Sequence, residues 1–271
     1  MVRLVSWNMA HKVAAWAALR DVGADVALVQ EAGKPSLEWA NAVSGRPDDR
    51  WETALVGGCG PWRTAILRLS DRVELRPRTT MTLETSTAAD DWVVSRAGSI
   101  AAADVVIDGQ MAFTALSVYA AWEMAAGRGF ADGSAHRILS DISSLDVRRR
   151  HPLIVAGDWN VLRGYGEHGD PYWQARYATV FSRAGALGLR FVGPEYPNGR
   201  RAEPWPQELP ADSLCLPTFP HGRQSPVTAT RQLDFVFAST ALADHVSVRA
   251  LNQPEDWGPS DHCRVIIDVD I

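Results

Sequence analysis

The sequence predicts an α/β fold in which helices pack on sheet, organised as one domain over residues 1–271. Three observations predict it. The chain opens strand–helix–strand, its middle is a succession of short apolar runs separated by turns, and two further helical stretches precede a close of three strand patterns.

Taken in order, Arg3 to Asn8 reads as a short strand. Lys12 to Val22 follows with Val13, Trp16, Ala17 and Leu19 near helical spacing, and Gly23 is placed to end the helix. Asp25 to Gln30 (DVALVQ) is the second strand. From Thr53 to Ala120 the runs TALV, TAILRL, WVV, SIAAADVVI and MAFTALSVYA read as strands with little helix between them. Gly133 to Arg150 is an amphipathic helix with Ile138, Ile142 and Leu145 on one face, and it leads into a strand over His151 to Ala156. Pro171 to Leu187 is a second helical stretch, stopped by Gly188. Pro194 to Pro226 is dense in Pro, Gly and Arg and is expected to be irregular, the kind of connection that often carries substrate contacts. Strands over Gln232 to Ala238, Val246 to Leu251 and Arg264 to Val269 close the chain. No repeat, low-complexity tract or linker marks a second domain.

Composition bounds the function. A hydrophobic content of 46% over 271 residues supplies a substantial core. The N-terminus has no basic region followed by an apolar stretch, and no window approaches the roughly 20 apolar residues needed to span a membrane. A soluble cytoplasmic protein is the expectation. Cys59, Cys215 and Cys263 are odd in number, widely spaced and form no CxxC, which argues against a disulfide framework or structural zinc. A formal net charge of −5 gives no global attraction for a polyanion, so any nucleic-acid contact must rely on local basic clusters and a bound cation. The 11 tryptophans include Trp7, Trp122, Trp159 and Trp257 beside polar residues, which serve packing or, alternatively, stacking on a base or sugar.

Polar residues recur where the strand patterns end. Asn8 follows LVSW, Glu31 follows DVALVQ, Tyr119 follows FTALSV, and Asp158 and Asn160 follow LIVAG. Asp234 lies within RQLDFVF, and Asp261-His262 precede RVIIDV. Singly, each has an ordinary structural reading: Asn8 as a helix cap, Glu31 as a first solvated residue, Asp158 as a turn aspartate, Asp234 as an inward polar group bonded to backbone. A sheet that gathers these strand ends at one rim would concentrate carboxylates, amides and a histidine in one cleft. Such a set suits phosphoryl chemistry with a hard cation, Mg²⁺ or Mn²⁺, held by one or two carboxylates.

The motifs SWN (Ser6–Asn8), VQE (Val29–Glu31), VY (Val118–Tyr119), GDWN (Gly157–Asn160), QLDFVF (Gln232–Phe237) and SDH (Ser260–His262) appear in order along nearly the whole chain. In this the sequence resembles the endonuclease/exonuclease/phosphatase superfamily. The resemblance implies a four-layer α/β/β/α sandwich: two packed, mainly antiparallel sheets flanked by helices. It also implies direct attack of an activated water on a phosphate ester, with Mg²⁺ or Mn²⁺ as cofactor. Carried over, Glu31 would be the main metal ligand, with Asn8 and Asp261 near the metal or its waters. Asp158 and Asn160 would lie at the scissile phosphate, and Tyr119 near the phosphate or leaving group. His262, held by Asp234, would be a general base or a phosphate-stabilising imidazolium.

Two departures narrow the branch. Where abasic-site endonucleases carry an aspartate two residues after the first asparagine, this chain has Ala10. Tyr119 is followed by Ala120-Ala121-Trp122 rather than a proline-asparagine sequence. Abasic-site repair is therefore not supported. Trp122, Arg128, His136 and Arg137 lie just beyond Tyr119 and within reach of a substrate, though each also reads as a surface or packing residue. Arg200, Arg201, His221, Arg223 and Arg231 make a local basic supply before the QLDFVF strand. Trp122, Arg128, Arg223 and Arg231 are the substrate-contact candidates. The leading expectation is a phosphodiesterase acting on nucleic acid or nucleotides. The alternatives are a phosphomonoesterase or hydrolase of a small phosphorylated metabolite or lipid headgroup, and, last, a binding module of the same fold.

Overall fold

The computed structural model describes residues 1–44, 63–88, 91–125, 128–145 and 151–271, with side chains for all of these but 63, 123–125 and 128–130. The expected TALV strand and Cys59 lie outside the described residues. The first strands are β1 (Val2–Asn8), β2 (Val26–Ala32), β3 (Arg63–Arg68) and β4 (Glu74–Arg78), followed by short β5 (Thr80–Met81) and β6 (Trp92–Val93). Next come the long hairpin β7 (Ile100–Ile107) and β8 (Gln110–Tyr119) and the short pair β9 (Glu123–Ala125) and β10 (Arg128–Phe130). The chain continues with β11 (Leu153–Asp158), β12 (Leu189–Gly193), β13 (Asp234–Ser239), β14 (Val246–Leu251) and β15 (Arg264–Val269). The helices are α1 (Val13–Ala18), α2 (Leu37–Ala40), α3 (Asp132–Ile142) and α4 (Pro171–Ala186).

Two large sheets result, one ordered β14-β15-β1-β2-β3 and the other β12-β13-β11-β8-β7-β4. Among the described residues of these sheets only β1–β2 and β8–β11 pair in parallel, and the remaining neighbours are antiparallel. Alternation along the strands gives each sheet two apolar faces, and both are covered. Between the sheets, Leu4, Leu28, Ile66 and Ile267 of one meet Phe113, Ile154 and Val236 of the other. On the outside, Ile138, Leu139 and Ile142 of α3 and Tyr177, Val180 and Ala184 of α4 pack on Val118, Val155, Phe235 and Phe237. On the opposite outside, Ala15 and Trp16 of α1 and Trp39 of α2 cover Val5, Trp7, Val29 and Leu67. The order is helix, sheet, sheet, helix. Each fully buried Leu, Ile or Phe in these layers contributes about 1.5–3 kcal/mol.

Local chemistry sets the boundaries. The Lys12–Val22 expectation resolves into the single turn-and-a-half of α1 and a 3₁₀ turn over Arg20–Val22, closed by Gly23 at φ 66°. The helix expected over Gly133 to Arg150 stops at Ile142. There the Ser143 and Ser144 hydroxyls donate to the carbonyls of Ser140 and Asp141 at 2.5 and 2.8 Å, drawing them from the helical ladder. Residues 146–150 of that expectation lie outside the described residues. α4 begins where Asp170 accepts from the Tyr172 amide at 2.9 Å with Pro171 at the first helical position. Among the described residues no helix is long and apolar enough to cross a membrane.

Candidate active site

Register brings the polar strand ends together. Parallel pairing sets Asn8 opposite Gln30, one residue before Glu31, on the first sheet. On the second, Asp158 lies opposite both Tyr119 and Asp234. The sheets are tied directly beneath this rim by a buried polar link. Gln30 Nε2 donates to Ser117 Oγ at 2.9 Å, and Ser117 Oγ donates to the Val29 carbonyl at 2.8 Å. Buried polar groups of this kind fix one register between layers because a slip would leave them unpaired.

Backbone irregularities then aim the side chains. The β2–β3 register shifts between Val29 and Ala32, and Glu31 within that bulge has φ 44°. The extra residue turns its carboxylate out of the strand alternation and towards the rim. Gly157 is required by close approach, since a Cβ there would lie 1.9 Å from the Val118 carbonyl oxygen. Only glycine lets β11 run beside β8 and deliver Asp158. Asn160, at φ 49°, folds back so that its amide N–H donates to Asp158 Oδ1 at 2.9 Å.

Asn8 is the hub. Its Nδ2 donates to Glu31 Oε1 and to Asp158 Oδ2, both at 2.9 Å, and so joins the carboxylates of the two sheets. Asp158 Oδ2 also receives Asn160 Nδ2 at 3.1 Å. Asn160 Oδ1 in turn accepts from the indole Nε1 of Trp122 at 2.8 Å. Burial alone would raise the Glu31 carboxyl, yet hydrogen bonds from His11, Asn8 and Tyr119 and the charge of His262 hold it down to about 2. Glu31 is thus an anion at neutral pH. Asp158 goes the other way. Burial, with the charges of Asp234 and Glu31, outweighs His262 and pushes it up to about 8, making it a comparatively strong base.

His262 completes the set. Its Nδ1 lies 2.8 Å from Asp234 Oδ2, its Nε2 lies 3.8 Å from Asp158 Oδ2, and the Phe219 ring covers it at 4.8 Å between centroids. Burial opposes a charge on the ring, but Asp234, Asp158 and Asp261 raise its pKa to about 10. The ring is therefore an imidazolium at neutral pH, donating from Nδ1 to Asp234. Ser260 Oγ donates to the Asn8 carbonyl at 2.6 Å and accepts the His262 amide at 3.1 Å, which pins the SDH turn to the end of β1. Asp261 stands exposed on that turn.

The flanking candidates divide. Trp122 is beside the site, 41% exposed. Trp7, Trp159 and Trp257 are core residues. Arg223 and His221 are exposed on the irregular Pro194–Pro226 connection. Arg231 is engaged by Glu167 through two hydrogen bonds, at 2.6 and 3.1 Å, so a substrate phosphate would have to compete with that carboxylate. Arg200 and Arg201 donate to backbone carbonyls, and the His136 ring meets Thr179 Oγ1 of α4 at 3.0 Å. The Arg128 side chain lies outside the described residues. The sequence reading missed His11, whose Nε2 lies 3.2 Å from Glu31 Oε2, as well as Thr218, Phe219 and the anchoring role of Ser260. Thr218 Oγ1 receives the amides of Leu233 and Asp234 and so sets where β13 starts. Its only signal was membership in an irregular loop.

Ionised Glu31 is an oxygen donor of the type a hard divalent cation takes. Among the described residues no group of three or more His, Cys, Asp or Glu side chains is placed to hold a metal ion.

The profile of the endonuclease/exonuclease/phosphatase family matches residues 5–262. The chain belongs to this family. Solved structures of similar fold include the endonuclease domain of TRAS1, a telomere-specific non-LTR retrotransposon, at 18% identity and TM-score 0.56 over 100% of this chain and 99% of that one. An AP endonuclease from Archaeoglobus fulgidus aligns at 15% identity and TM-score 0.58 over 100% of both chains. A 3′ phosphatase from Neisseria, bound to product DNA hairpin, aligns at 16% identity and TM-score 0.59 over 100% of both. No curated protein sequence matches the chain significantly. The family is one of endonucleases, exonucleases and phosphatases, and by that membership the chain is a phosphoester hydrolase.

Proposed function

We propose that this protein is a divalent-metal-dependent phosphodiesterase acting on nucleic acid or nucleotides. One observation carries the chemistry: Asn8, Glu31, Asp158 and Asn160, drawn from two sheets, are joined by hydrogen bonds at one rim, and the hydrogen-bonded Asp234–His262 pair stands beside them with His262 Nε2 3.8 Å from Asp158. Glu31 would hold Mg²⁺ or Mn²⁺, with Asn8 and Asp261 near it or its waters. When bound, such an ion polarises a phosphoryl oxygen and offsets charge on the leaving oxygen.

The protein groups supply the rest. In its ionised form, the minor one at neutral pH and the major one above about 8, Asp158 would take the proton from the attacking water. Asn160 Nδ2 and Asn8 Nδ2 fix the position of that carboxylate. His262 is already protonated through Asp234 and faces the same space, so it stabilises the oxygens on which negative charge builds rather than accepting a further proton. Tyr119, on the strand neighbouring Asp158 and hydrogen-bonded to Glu31, would lie near the phosphate or leaving group.

The polymeric substrate is supported by the neighbours, two of which are endonucleases and one of which is a phosphatase bound to DNA. Exposed Arg223 and the half-exposed Trp122 suit a phosphate backbone and a base or sugar. The test is hydrolysis, with Mg²⁺ or Mn²⁺, of single- and double-stranded DNA, RNA, a dinucleotide and a panel of phosphomonoesters, with Glu31→Ala and His262→Ala as controls. Polymer cleavage without monoester cleavage is expected. Cleavage of monoesters alone would replace this reading with a phosphomonoesterase. No hydrolysis and no metal binding would leave a binding module.

A further inference from the structure

We propose that His11 belongs to the cation site. Its imidazole Nε2 joins Glu31 in holding the divalent ion, so the centre mixes nitrogen with oxygen donors and prefers a transition ion such as Mn²⁺ over Mg²⁺. The proposal rests on the metal-dependent reading above. Its observations are geometric. Nε2 of His11 lies 3.2 Å from Oε2 of Glu31, the oxygen not occupied by Asn8. Two ligands at right angles on an ion with bonds of about 2.1 Å stand about 3 Å apart. The pair is therefore spaced as adjacent ligands as well as hydrogen-bond partners.

The backbone holds the ring there. Ala10 and His11 are consecutive non-glycine residues in the left-handed region, at φ 45° and 59°. Such a conformation persists only where surrounding contacts over-determine it. Here the Ala10 amide donates to Asn8 Oδ1 at 2.9 Å, the His11 amide donates to the Glu31 carbonyl at 3.0 Å, and the Lys12 amide donates to the Met9 carbonyl at 2.8 Å. The turn is thus anchored on the side chain of one candidate ligand and the main chain of the other. His11 is also on the open side. Its side chain is 35% exposed, whereas Asn8 and Asp158, on the other side of Glu31, are buried. An ion arriving from solvent meets Glu31 Oε2 and the imidazole together. Imidazole nitrogen binds first-row transition ions better than it binds Mg²⁺, which favours oxygen donors.

The experiment uses the full chain with Mn²⁺ and Mg²⁺ as the probes. Mn²⁺ binding is titrated by electron paramagnetic resonance and Mg²⁺ by competition, for the wild type, Glu31→Gln, His11→Ala and His11→Gln. Pulsed measurements on protein carrying ¹⁵N-histidine read directly bound nitrogen. Nitrogen coupling is expected in the wild type and lost in both His11 variants. Mn²⁺ affinity should fall about tenfold or more in His11→Ala, with Mg²⁺ affinity changed less than about threefold. His11→Gln keeps a hydrogen-bonding group beside Glu31, so recovery of Mn²⁺ affinity in that variant would make His11 a support for Glu31 and overturn the proposal. An unchanged Mn²⁺/Mg²⁺ preference in His11→Ala, or no coupling lost, would also overturn it while leaving the metal-dependent reading intact. Failure of the wild type to bind either ion would overturn both.

Discussion

Replacing Asp234 with asparagine should convert His262 from a fixed imidazolium into an imidazole that is largely neutral near pH 7, with little change in packing. The side chains are nearly isosteric, and the Asp234 amide keeps its bond to Thr218 Oγ1. The magnitude follows from the contact. Unit charges 2.8 Å apart, in an effective dielectric of about 20, interact by roughly 6 kcal/mol. That energy corresponds to about four powers of ten in a protonation constant. Burial opposes the charge and Asp158 at 3.8 Å only partly replaces the lost partner. In the Asp234→Asn variant His262 should therefore titrate well below 10, near or under its ordinary 6.5. Histidine ¹⁵N chemical shifts followed against pH, in metal-free protein, measure this directly. Stability carries the same signature. A pKa raised in the folded state adds stability that is complete below pH 6.5 and is lost as pH rises through about 10, at most roughly 5 kcal/mol. Urea unfolding of the wild type should weaken across that window, and the variant's curve should be flatter. Turnover of the phosphodiester found in the substrate panel should fall about 10²- to 10³-fold, as for loss of one charge-stabilising donor. A His262 that still titrates near 10 in the variant would show that Asp158, rather than Asp234, holds its proton, and wild-type turnover would remove the pair from the mechanism.

Other outcomes follow from single contacts. Gly157→Ala places a Cβ on the Val118 carbonyl oxygen and should cost about 3 kcal/mol or more; an unchanged urea midpoint would mean that β8 and β11 can separate freely. Trp122→Phe keeps an aromatic ring but removes the donor to Asn160 Oδ1, so kcat should fall several-fold, about 1 kcal/mol in barrier, with KM nearly constant. Trp122→Ala should raise KM as well, and equal effects of the two variants would count against a stacking role. Glu31→Gln removes the ionised oxygen pair and should weaken Mg²⁺ binding by about tenfold or more; an unaltered calorimetric titration would strike Glu31 from the ligand set.

Much of the site was legible because chemistry-bearing residues stand where apolar strand runs end. Asn8, Glu31, Asp158, Asp234 and His262 needed only the expectation that those ends share a rim, and two packed sheets, one with a parallel β1–β2 pair and the other with a parallel β8–β11 pair, meet it. The layered fold was legible for a similar reason, since periods of two and of 3.6 residues mark the faces that must be buried. The helix after Gly133 read too long because a hydrophobic stripe does not reveal serines that turn their hydroxyls onto the helix carbonyls.

What the sequence by itself determined, then, was the residue inventory, the strand and helix periods and the order of the motifs, all of them properties of neighbours along the chain. Tertiary structure decided which of those residues touch. It set His11 against Glu31 across the β1–β2 connection, and it locked Trp122 onto Asn160. It also tied Arg231 to Glu167, committing a cation that the sequence presents as available to a substrate. Such contacts depend on a bulge, two left-handed residues and the spacing between sheets. Those are fixed only when the apolar faces close on one another, because burial is what makes an unpaired polar group costly enough to demand a partner.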